Sequence, residues 1–263
     1  MITGMGNAQV KRIISLLQKS KLRRSEGVYV VEGVRMFLEA PLEHIKEIYV
    51  SKSFLDKANK QSIEKLKAMR YETVSDDVFR KMSDTQTPQG VLCVMEMPAY
   101  SLDGMLKNAG SAPFFMLLED IQDPGNLGTI FRAGEGAGID GVIMTGNTVD
   151  VFNPKVVRST MGSIYRVPFL TGQDIARTVS ALREHGVAVY AAHLDESGDY
   201  AACDYARASA FLIGNEARGL KRETAGLADR CIKIPMKGQV ESLNAATAAA
   251  VLMYEAARQR RYA

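Results

Sequence analysis

The second half of the chain alternates short apolar segments with helix-like segments, from Phe114 to about Arg260. Strands that alternate with helices predict a mainly parallel sheet with helices on both faces, and so an α/β fold. In such sheets, ligands bind beyond the carboxyl ends of the strands. Polar loops follow the predicted strands that end at Leu118, Ile213 and Ile234, and these loops form the candidate site. The same pattern predicts a further strand over 164–170.

The first hundred residues also alternate strands and helices, over a length typical of a small domain. A stretch of small polar residues that includes Pro98 and Pro113 separates them from the second half. We therefore predict a smaller α/β domain at 1–98, a linker at 99–112 and a larger α/β domain at 113–263.

Composition excludes several classes of protein. The three cysteines and three histidines are dispersed and form no Cys-x-x-Cys pair, so we expect neither a disulfide framework nor a metal site. No apolar run approaches the roughly 20 residues that span a bilayer, and the N-terminus lacks a signal-peptide pattern. These features are typical of a cytoplasmic protein without membrane association.

Basic residues are concentrated near the N-terminus. Residues 1–100 hold 16 Lys/Arg against 12 Asp/Glu, although the net charge of the whole chain is only +3. Clustered cations favour a polyphosphate partner through counterion release. A solvated helix face is the alternative interpretation. The candidate RNA-binding residues in this segment are Lys11, Arg12, Arg23 and Arg24.

The loop after Leu118 spans 119–128 and leads into a helix that carries Arg132. A strand that ends in acids, turns through Pro-Gly and starts a helix exposes N–H groups that favour an anion. Asn126 lies near the predicted start of that helix, and the long side chain of Arg132 can reach the loop. A plain strand-to-helix turn with a surface arginine is the alternative.

The glycines between Gly136 and Gly141 match the spacing of the dinucleotide-binding fingerprint. That fingerprint follows a strand and opens a helix. Here the glycines follow a helix and lead into a strand, so we interpret them as a helix end and a turn.

Two cations occupy the first turns of a helix that Pro154 can start, namely Lys155 and Arg158. Cations oppose the helix dipole at this end, so a phosphate ligand is one explanation for them. An ordinary amphipathic helix is the other.

The remaining two loops carry small and polar residues at strand ends. After Ile213, Gly214 permits close backbone approach and Glu216 supplies a charge, although a plain turn is the alternative. The loop after Ile234 leads into a long alanine-rich helix, which either Ser242 or Asn244 could cap.

Together the three loops resemble the three motifs of the SpoU (TrmH-type) RNA 2′-O-ribose methyltransferases of the SPOUT class. The motifs are DPGNLGTIFR at 123–132, IGNEARGL at 213–220 and IPMKGQVESLN at 234–244. The first hundred residues resemble the ribosomal-protein-like substrate-binding domain that some members carry. The matching stretches there are NAQVK at 7–11, VVEG at 30–33 and DTQTPQG at 84–90.

The resemblance implies a C-terminal trefoil knot, S-adenosylmethionine bound within it, and a homodimer with motif one and the terminal helix at the interface. An enzyme of this family is expected to need no metal. The resemblance also implies that Arg132 is the essential catalytic residue, as a base or as a phosphate ligand, and that Asn126, Glu216, Ser242 and Asn244 position the reactants. The implied cofactor-binding residues are Gly214, Ile234, Met236, Leu243, Asn244, Thr145 and Gly146.

A ribose hydroxyl is a poor nucleophile until its proton is removed, and no histidine occurs in any motif. Arginine is an awkward base because its guanidinium is normally protonated, so both roles of Arg132 stay open. We expect ribosomal RNA as the substrate, with transfer RNA as the alternative. A non-catalytic RNA-binding or ribosome-assembly protein is the rival from another class.

Overall fold

The computed structural model describes residues 1–194 and 197–261. They form two compact units. The N-terminal unit contains residues 1–99 and 152–165, and the C-terminal unit contains residues 100–151 and the described residues from 166 onward.

The helices, in chain order, are α1 (Ala8–Gln18), α2 (Ser20–Glu26), α3 (Val34–Glu39), α4 (Lys52–Lys57), α5 (Lys60–Lys67), α6 (Asp76–Met82), α7 (Leu102–Asn108), α8 (Pro124–Ala137), α9 (Pro154–Ser159), α10 (Ile175–Glu184), α11 (Arg222–Ala225) and α12 (Ala245–Arg260). The strands are β1 (Val28–Glu32), β2 (Ile45–Ser51), β3 (Glu72–Val74), β4 (Val91–Glu96), β5 (Phe114–Leu118), β6 (Gly141–Met144), β7 (Phe169–Leu170), β8 (Ala188–Ala192), β9 (Gly198–Asp199), β10 (Ser209–Ile213) and β11 (Arg230–Lys233). Single turns of 3₁₀ helix occur at Leu42–His44, Ser163–Tyr165 and Tyr200–Ala202.

The C-terminal unit is built on a parallel sheet with strand order β7-β6-β5-β10-β8-β11-β9. Its central strands β5 and β10 are buried along their whole length, as expected for a sheet covered on both faces. Helix α12 packs against α8 and β10. The predicted α/β fold is therefore confirmed, and the trefoil knot stays a prediction.

The N-terminal unit has a smaller mixed sheet with strand order β1-β4-β2-β3. Strand β4 is antiparallel to β1 and β2, whereas β2 and β3 are parallel. One face of this sheet packs against α1 and α6, through residues such as Ile13 and Phe79 that are almost fully buried. The predicted small α/β unit is therefore present.

Residues 152–165 lie inside the second half of the sequence but pack in the N-terminal unit. The ring of Phe152 lies 4.8 Å from that of Tyr29, and the hydroxyl of Tyr165 donates to the carbonyl of Met36 at 3.0 Å. Because these contacts join positions over a hundred residues apart, a linear division of the sequence does not contain them.

The strand predicted over 164–170 is wrong for most of its length. Residues Ser163–Tyr165 form a turn of 3₁₀ helix, and only Phe169–Leu170 pairs with β6. Pro168, which lacks an N–H, precedes the paired residues and contributes only its carbonyl, which accepts from the Val142 N–H at 3.0 Å. In the stretch predicted as a linker, the structure forms α7, whose Met105 is buried.

The ends of α8 follow from its sequence. Asp123 caps the helix by accepting from the Asn126 N–H at 2.8 Å, and Pro124 occupies the first turn, where its missing N–H costs nothing. Gly138 ends the helix with a φ of 77°, which confirms that these glycines form a helix end. Within residues 1–194 and 197–261, no helix has the length and apolar character needed to cross a membrane.

Candidate functional site

Side-chain hydrogen bonds join the three motif loops at the carboxyl edge of the large sheet. The Asn126 side-chain amide donates to Glu216 Oε1 at 3.0 Å, and the Asn244 amide donates to Asn126 Oδ1 at 2.9 Å. Each of these residues comes from a different motif. Residues 90 and 118 positions apart in the sequence therefore meet in one Glu216–Asn126–Asn244 chain.

Glu216 is held as a carboxylate. Burial raises its pKa, but hydrogen bonds from the Asn126 amide and from the N–H groups of Asp123 and Gln122 outweigh burial and lower the pKa below its ordinary value. A carboxylate whose oxygens already accept several hydrogen bonds is a poor proton acceptor. Glu216 is therefore suited to orient Asn126 and the motif-one backbone rather than to act as a base.

Asn244, and not Ser242, is the N-cap of α12. Its Oδ1 accepts from the N–H groups of Ala246 at 2.9 Å and Thr247 at 3.2 Å. The same side chain donates to Asn126 through its Nδ2. Asn244 thus fixes the start of α12 and the Glu216–Asn126–Asn244 chain at once, because its amide carries both an acceptor oxygen and a donor nitrogen.

Beside the Glu216–Asn126–Asn244 chain of hydrogen bonds lies a cavity of about 380 Å³, within the range of small-molecule sites. Of the predicted cofactor-binding residues, Gly214, Ile234, Met236 and Leu243 line it, and so does Ser242. Much of the remaining wall comes from the loops after β8, β10 and β11, and Ala248 and Leu252 of α12 complete it.

Three predicted cofactor-binding residues are absent from the described lining of the cavity: Thr145, Gly146 and Asn244. Thr145 is engaged elsewhere, because its hydroxyl donates to Asp120 Oδ1 at 2.7 Å and accepts from the Asp120 N–H at 2.9 Å. It holds the neighbouring loop rather than the cavity wall.

Gly214 is needed for the fold of its own loop. A Cβ at this position would lie 2.2 Å from backbone atoms of Gly219 and Leu220. Because these are backbone atoms, no change of side-chain rotamer could remove the clash. Asn215 tightens the same turn, since its Oδ1 accepts from the N–H groups of Ala217 and Arg218. We expected Gly214 to approach a ligand, whereas the tightest contact at this position is with its own loop.

Arg132 is exposed on α8. Its side chain makes no hydrogen bond or ion pair with any residue of the part that the structure describes. It lies six positions after Asn126, so the two side chains point to different sides of the helix.

The predicted RNA-binding cations differ in their availability. Lys11, Arg24 and Lys155 are exposed. Arg12 is paired with both Glu26 and Glu47, at 2.6 and 2.8 Å.

Arg23 does not fit the predicted role. It is only 3% exposed, and its guanidinium donates to the carbonyls of Leu16 at 2.7 Å and Leu17 at 3.2 Å. These carbonyls lie in the last turn of α1, where cations favour the helix dipole. Arg23 therefore joins α1 to α2. Arg158 likewise forms an ion pair with Asp84 at 2.9 Å within the N-terminal unit.

Residue type alone does not identify Glu119, Asp120 and Asn215 as site residues, although all three hold the motif loops together. Their only signal in the sequence is their position at the ends of predicted strands. His193, one of the three dispersed histidines, lines the cavity after β8. In the described part of the chain, no group of three or more His, Cys, Asp or Glu is arranged to hold a metal ion.

Comparison with known proteins gives matches to both halves of the chain. A model of the SpoU rRNA Methylase family matches residues 113–254, and a model of the MRM3-like substrate binding domain matches residues 7–93. The chain is 31% identical over 239 residues to the 23S rRNA (guanosine(2553)-2′-O)-methyltransferase RlmP of Bacillus subtilis, across 90% of this chain and 92% of that protein.

Solved structures agree over nearly the whole chain. The SpoU methyltransferase AviRb from Streptomyces viridochromogenes, in complex with the cofactor AdoMet, matches with a TM-score of 0.86 and 30% identity, across 97% of this chain and 98% of that one. An AdoMet-bound rRNA methyltransferase from Sinorhizobium meliloti matches with a TM-score of 0.82 and 30% identity, across 98% and 97%.

Proposed function

Because the chain belongs to the SpoU rRNA methylase family, we propose that it transfers a methyl group from S-adenosylmethionine to a ribose 2′-hydroxyl of large-subunit ribosomal RNA. The single observation that carries this proposal is the Glu216–Asn126–Asn244 chain, which joins all three motifs beside a cavity of ligand size. The name of the Bacillus subtilis relative, a 23S rRNA methyltransferase, supplies the substrate class.

We place S-adenosylmethionine in the cavity beside the Glu216–Asn126–Asn244 chain of hydrogen bonds. Its walls fit such a molecule, because they combine apolar side chains with the glycine-containing Gly214–Leu220 loop. Apolar surface of this kind suits an adenine ring, and backbone polar groups suit the ribose and amino-acid portions. When bound, S-adenosylmethionine supplies an electrophilic methyl group on its sulfonium.

Arg132 is proposed to bind the RNA at the reacting ribose. Its guanidinium stays protonated, so it can hold a phosphate bidentately and stabilise the alkoxide that develops as the 2′-hydroxyl loses its proton to water. Asn126, Glu216 and Asn244 fix the motif-one loop and the first turn of α8. Ser242, on the cavity wall, is proposed to orient the ribose. Such alignment of reactants is worth several powers of ten in rate.

The N-terminal unit is proposed to hold the structured RNA. Lys11 and Arg24 are exposed on α1 and α2, and Lys155 is exposed on α9. Arg12 and Arg158 would have to exchange an existing carboxylate partner for a phosphate, so we assign them smaller contributions. The proposal includes a homodimer formed through motif one and α12, and a cytoplasmic location.

The test is transfer of labelled methyl from S-adenosylmethionine to 23S rRNA, assembled ribosomal subunits and bulk transfer RNA. Wild type should label ribosomal RNA or the subunit, and Arg132→Ala should lose at least a hundredfold in rate. Arg177→Ala is the matched control, because Arg177 is an exposed arginine on α10 outside the site. Label confined to transfer RNA would refute the substrate class, and equal rates for both variants would refute the role of Arg132.

A further inference from the structure

A buried carboxylate lies at the end of β5, just before the motif-one loop. Glu119 is only 4% exposed, and a carboxylate withdrawn from water is costly unless hydrogen bonds replace the lost solvation. Its Oε2 accepts from the Lys221 N–H at 3.0 Å, and its Oε1 accepts from the Thr224 hydroxyl at 2.6 Å. The Lys221 ammonium lies 3.5 Å from Oε1. These partners follow directly after the cavity-lining Gly214–Leu220 loop.

The next residue, Asp120, holds the beginning of the same loop. Its φ of 56° is uncommon for a residue other than glycine and persists only where neighbours enforce it. The Asp120 carbonyl accepts from the Asn215 side-chain amide at 2.8 Å. Thr145 fixes the turn, because its hydroxyl bonds both the backbone N–H and the carboxylate of Asp120.

The sheet fixes the spacing between these two attachments. Strands β5 and β10 pair in parallel register, with Leu118 opposite Ile213, so Glu119 and Asp120 start level with Gly214 and Asn215. The Gly214–Leu220 loop is thus attached at Asn215 by Asp120 and just beyond Leu220 by Glu119. Between these attachments the Glu216 carboxylate bonds the motif-one loop and Asn215 Oδ1 bonds the Ala217 and Arg218 N–H groups, and the residues of the loop line the cavity.

We propose that Glu119 and Asp120 are positioning residues for the cofactor: they set the shape of the Gly214–Leu220 loop and so the affinity for S-adenosylmethionine, without touching it. This inference rests on the proposed assignment of S-adenosylmethionine to the cavity. A merely structural role predicts a different result, because it would lower stability and leave the affinity of the folded protein unchanged.

The experiment measures equilibrium binding of S-adenosylmethionine to the full chain without RNA, at a temperature where each variant is folded. Glu119→Gln leaves one acceptor oxygen and sets an NH₂ group against donors, so affinity should fall about tenfold. Thr224→Val should weaken binding in the same direction. Thr224→Ser, which keeps the hydroxyl, is the matched control and should bind as wild type does. In turnover, KM for S-adenosylmethionine should rise more than kcat falls.

The outcomes separate the two proposals. If Glu119→Gln and Thr224→Val unfold at lower temperature but bind with wild-type affinity, the positioning role is overturned. If Glu119→Gln does not fold, the Thr224 pair decides, and equal affinities for its two variants overturn the role. Ala248→Leu, which adds volume to the cavity wall, tests the assignment of the cavity itself. Unchanged affinity in Ala248→Leu would refute that assignment, whereas weakened affinity there with intact binding in Thr224→Val would refute the positioning role alone.

Discussion

Arg260, near the end of α12, joins the C-terminal helix to the amino ends of the central strands β5 and β10. Its guanidinium donates to the carbonyls of Tyr205, Arg207 and Pro113, at 3.0, 2.8 and 3.2 Å. It also donates to the Ala112 carbonyl at 2.6 Å and to Ser209 Oγ at 2.9 Å, and it stacks 4.5 Å from the Phe114 ring centroid. Burial lowers its pKa, with nearby Asp140 opposing the shift.

Replacing Arg260 by Met keeps the aliphatic stem and removes every donor. Four carbonyls then lose a charged partner, and at the low end of about 1 kcal/mol for each, the free energy of unfolding should fall by about 4 kcal/mol. We use the low end because burial of the guanidinium already costs part of what its hydrogen bonds contribute. For a domain of 150–250 residues, this loss corresponds to a fall of about 10 °C in Tm.

Calorimetry and urea unfolding measure this loss. Arg258→Met is the matched control, because Arg258 lies on the same helix with a side chain that is 61% exposed and pairs with Glu255. We expect it to cost about 0.5 kcal/mol. Arg260→Lys should fall between the two, since a lysine keeps the charge but cannot reach several carbonyls at once. Equal losses of unfolding free energy for Arg260→Met and Arg258→Met would show that the hydrogen bonds of Arg260 do not stabilise the fold.

Three further predictions concern the site and the RNA. Arg132→Lys should keep cofactor affinity but lose at least tenfold in methyl-transfer rate, because an ammonium cannot replace bidentate phosphate binding; a wild-type rate would contradict this. Arg24→Gln should weaken RNA binding and flatten its salt dependence, whereas Arg23→Gln should mainly lower Tm. Filter binding across a salt series measures both variants. A larger loss of RNA affinity in Arg23→Gln than in Arg24→Gln would contradict this. The lowered pKa of Glu216 means that its hydrogen bonds stabilise the folded state fully above the ordinary glutamate pKa and are lost as pH falls through the lower, folded value. Affinity for S-adenosylmethionine should therefore hold down to about pH 4.5, and Glu216→Gln should make the decline below it shallower; a loss near pH 6 would contradict this.

The family and the α/β fold could be predicted from the sequence and are confirmed. Both depend on local patterns: apolar segments that alternate with helices, and polar motifs at strand ends. The mutual approach of Asn126, Glu216 and Asn244 also follows in outline, because parallel strands bring their carboxyl ends to one edge. Their hydrogen-bonding order could not be predicted, since Ser242 and Asn244 are equally plausible caps by residue type.

Arg23 and Glu119 show the limits of residue type. Charge patterning gives the sign of a segment but not the direction of each side chain, and Arg23 turns toward the end of α1 rather than toward solvent. Glu119 looked like part of a polar loop, but its partner Lys221 lies 102 positions away. The turn at Ser163–Tyr165 replaced a predicted strand because Ser163 and Ile164 are buried by packing rather than by sheet pairing. Such long-range contacts leave no periodic signal in the sequence.

We propose that the three joined motifs and the cavity beside them catalyse methylation of a ribose. Labelled methyl transferred by wild type to ribosomal RNA, followed by complete alkaline hydrolysis, tests it most directly. A 2′-O-methyl group blocks cleavage at its own nucleotide, so we expect label in alkali-resistant dinucleotides, and we expect Asn126→Ala and Arg132→Ala to lose it. Label recovered only in mononucleotides would mean that a base is methylated and that the ribose is not the target.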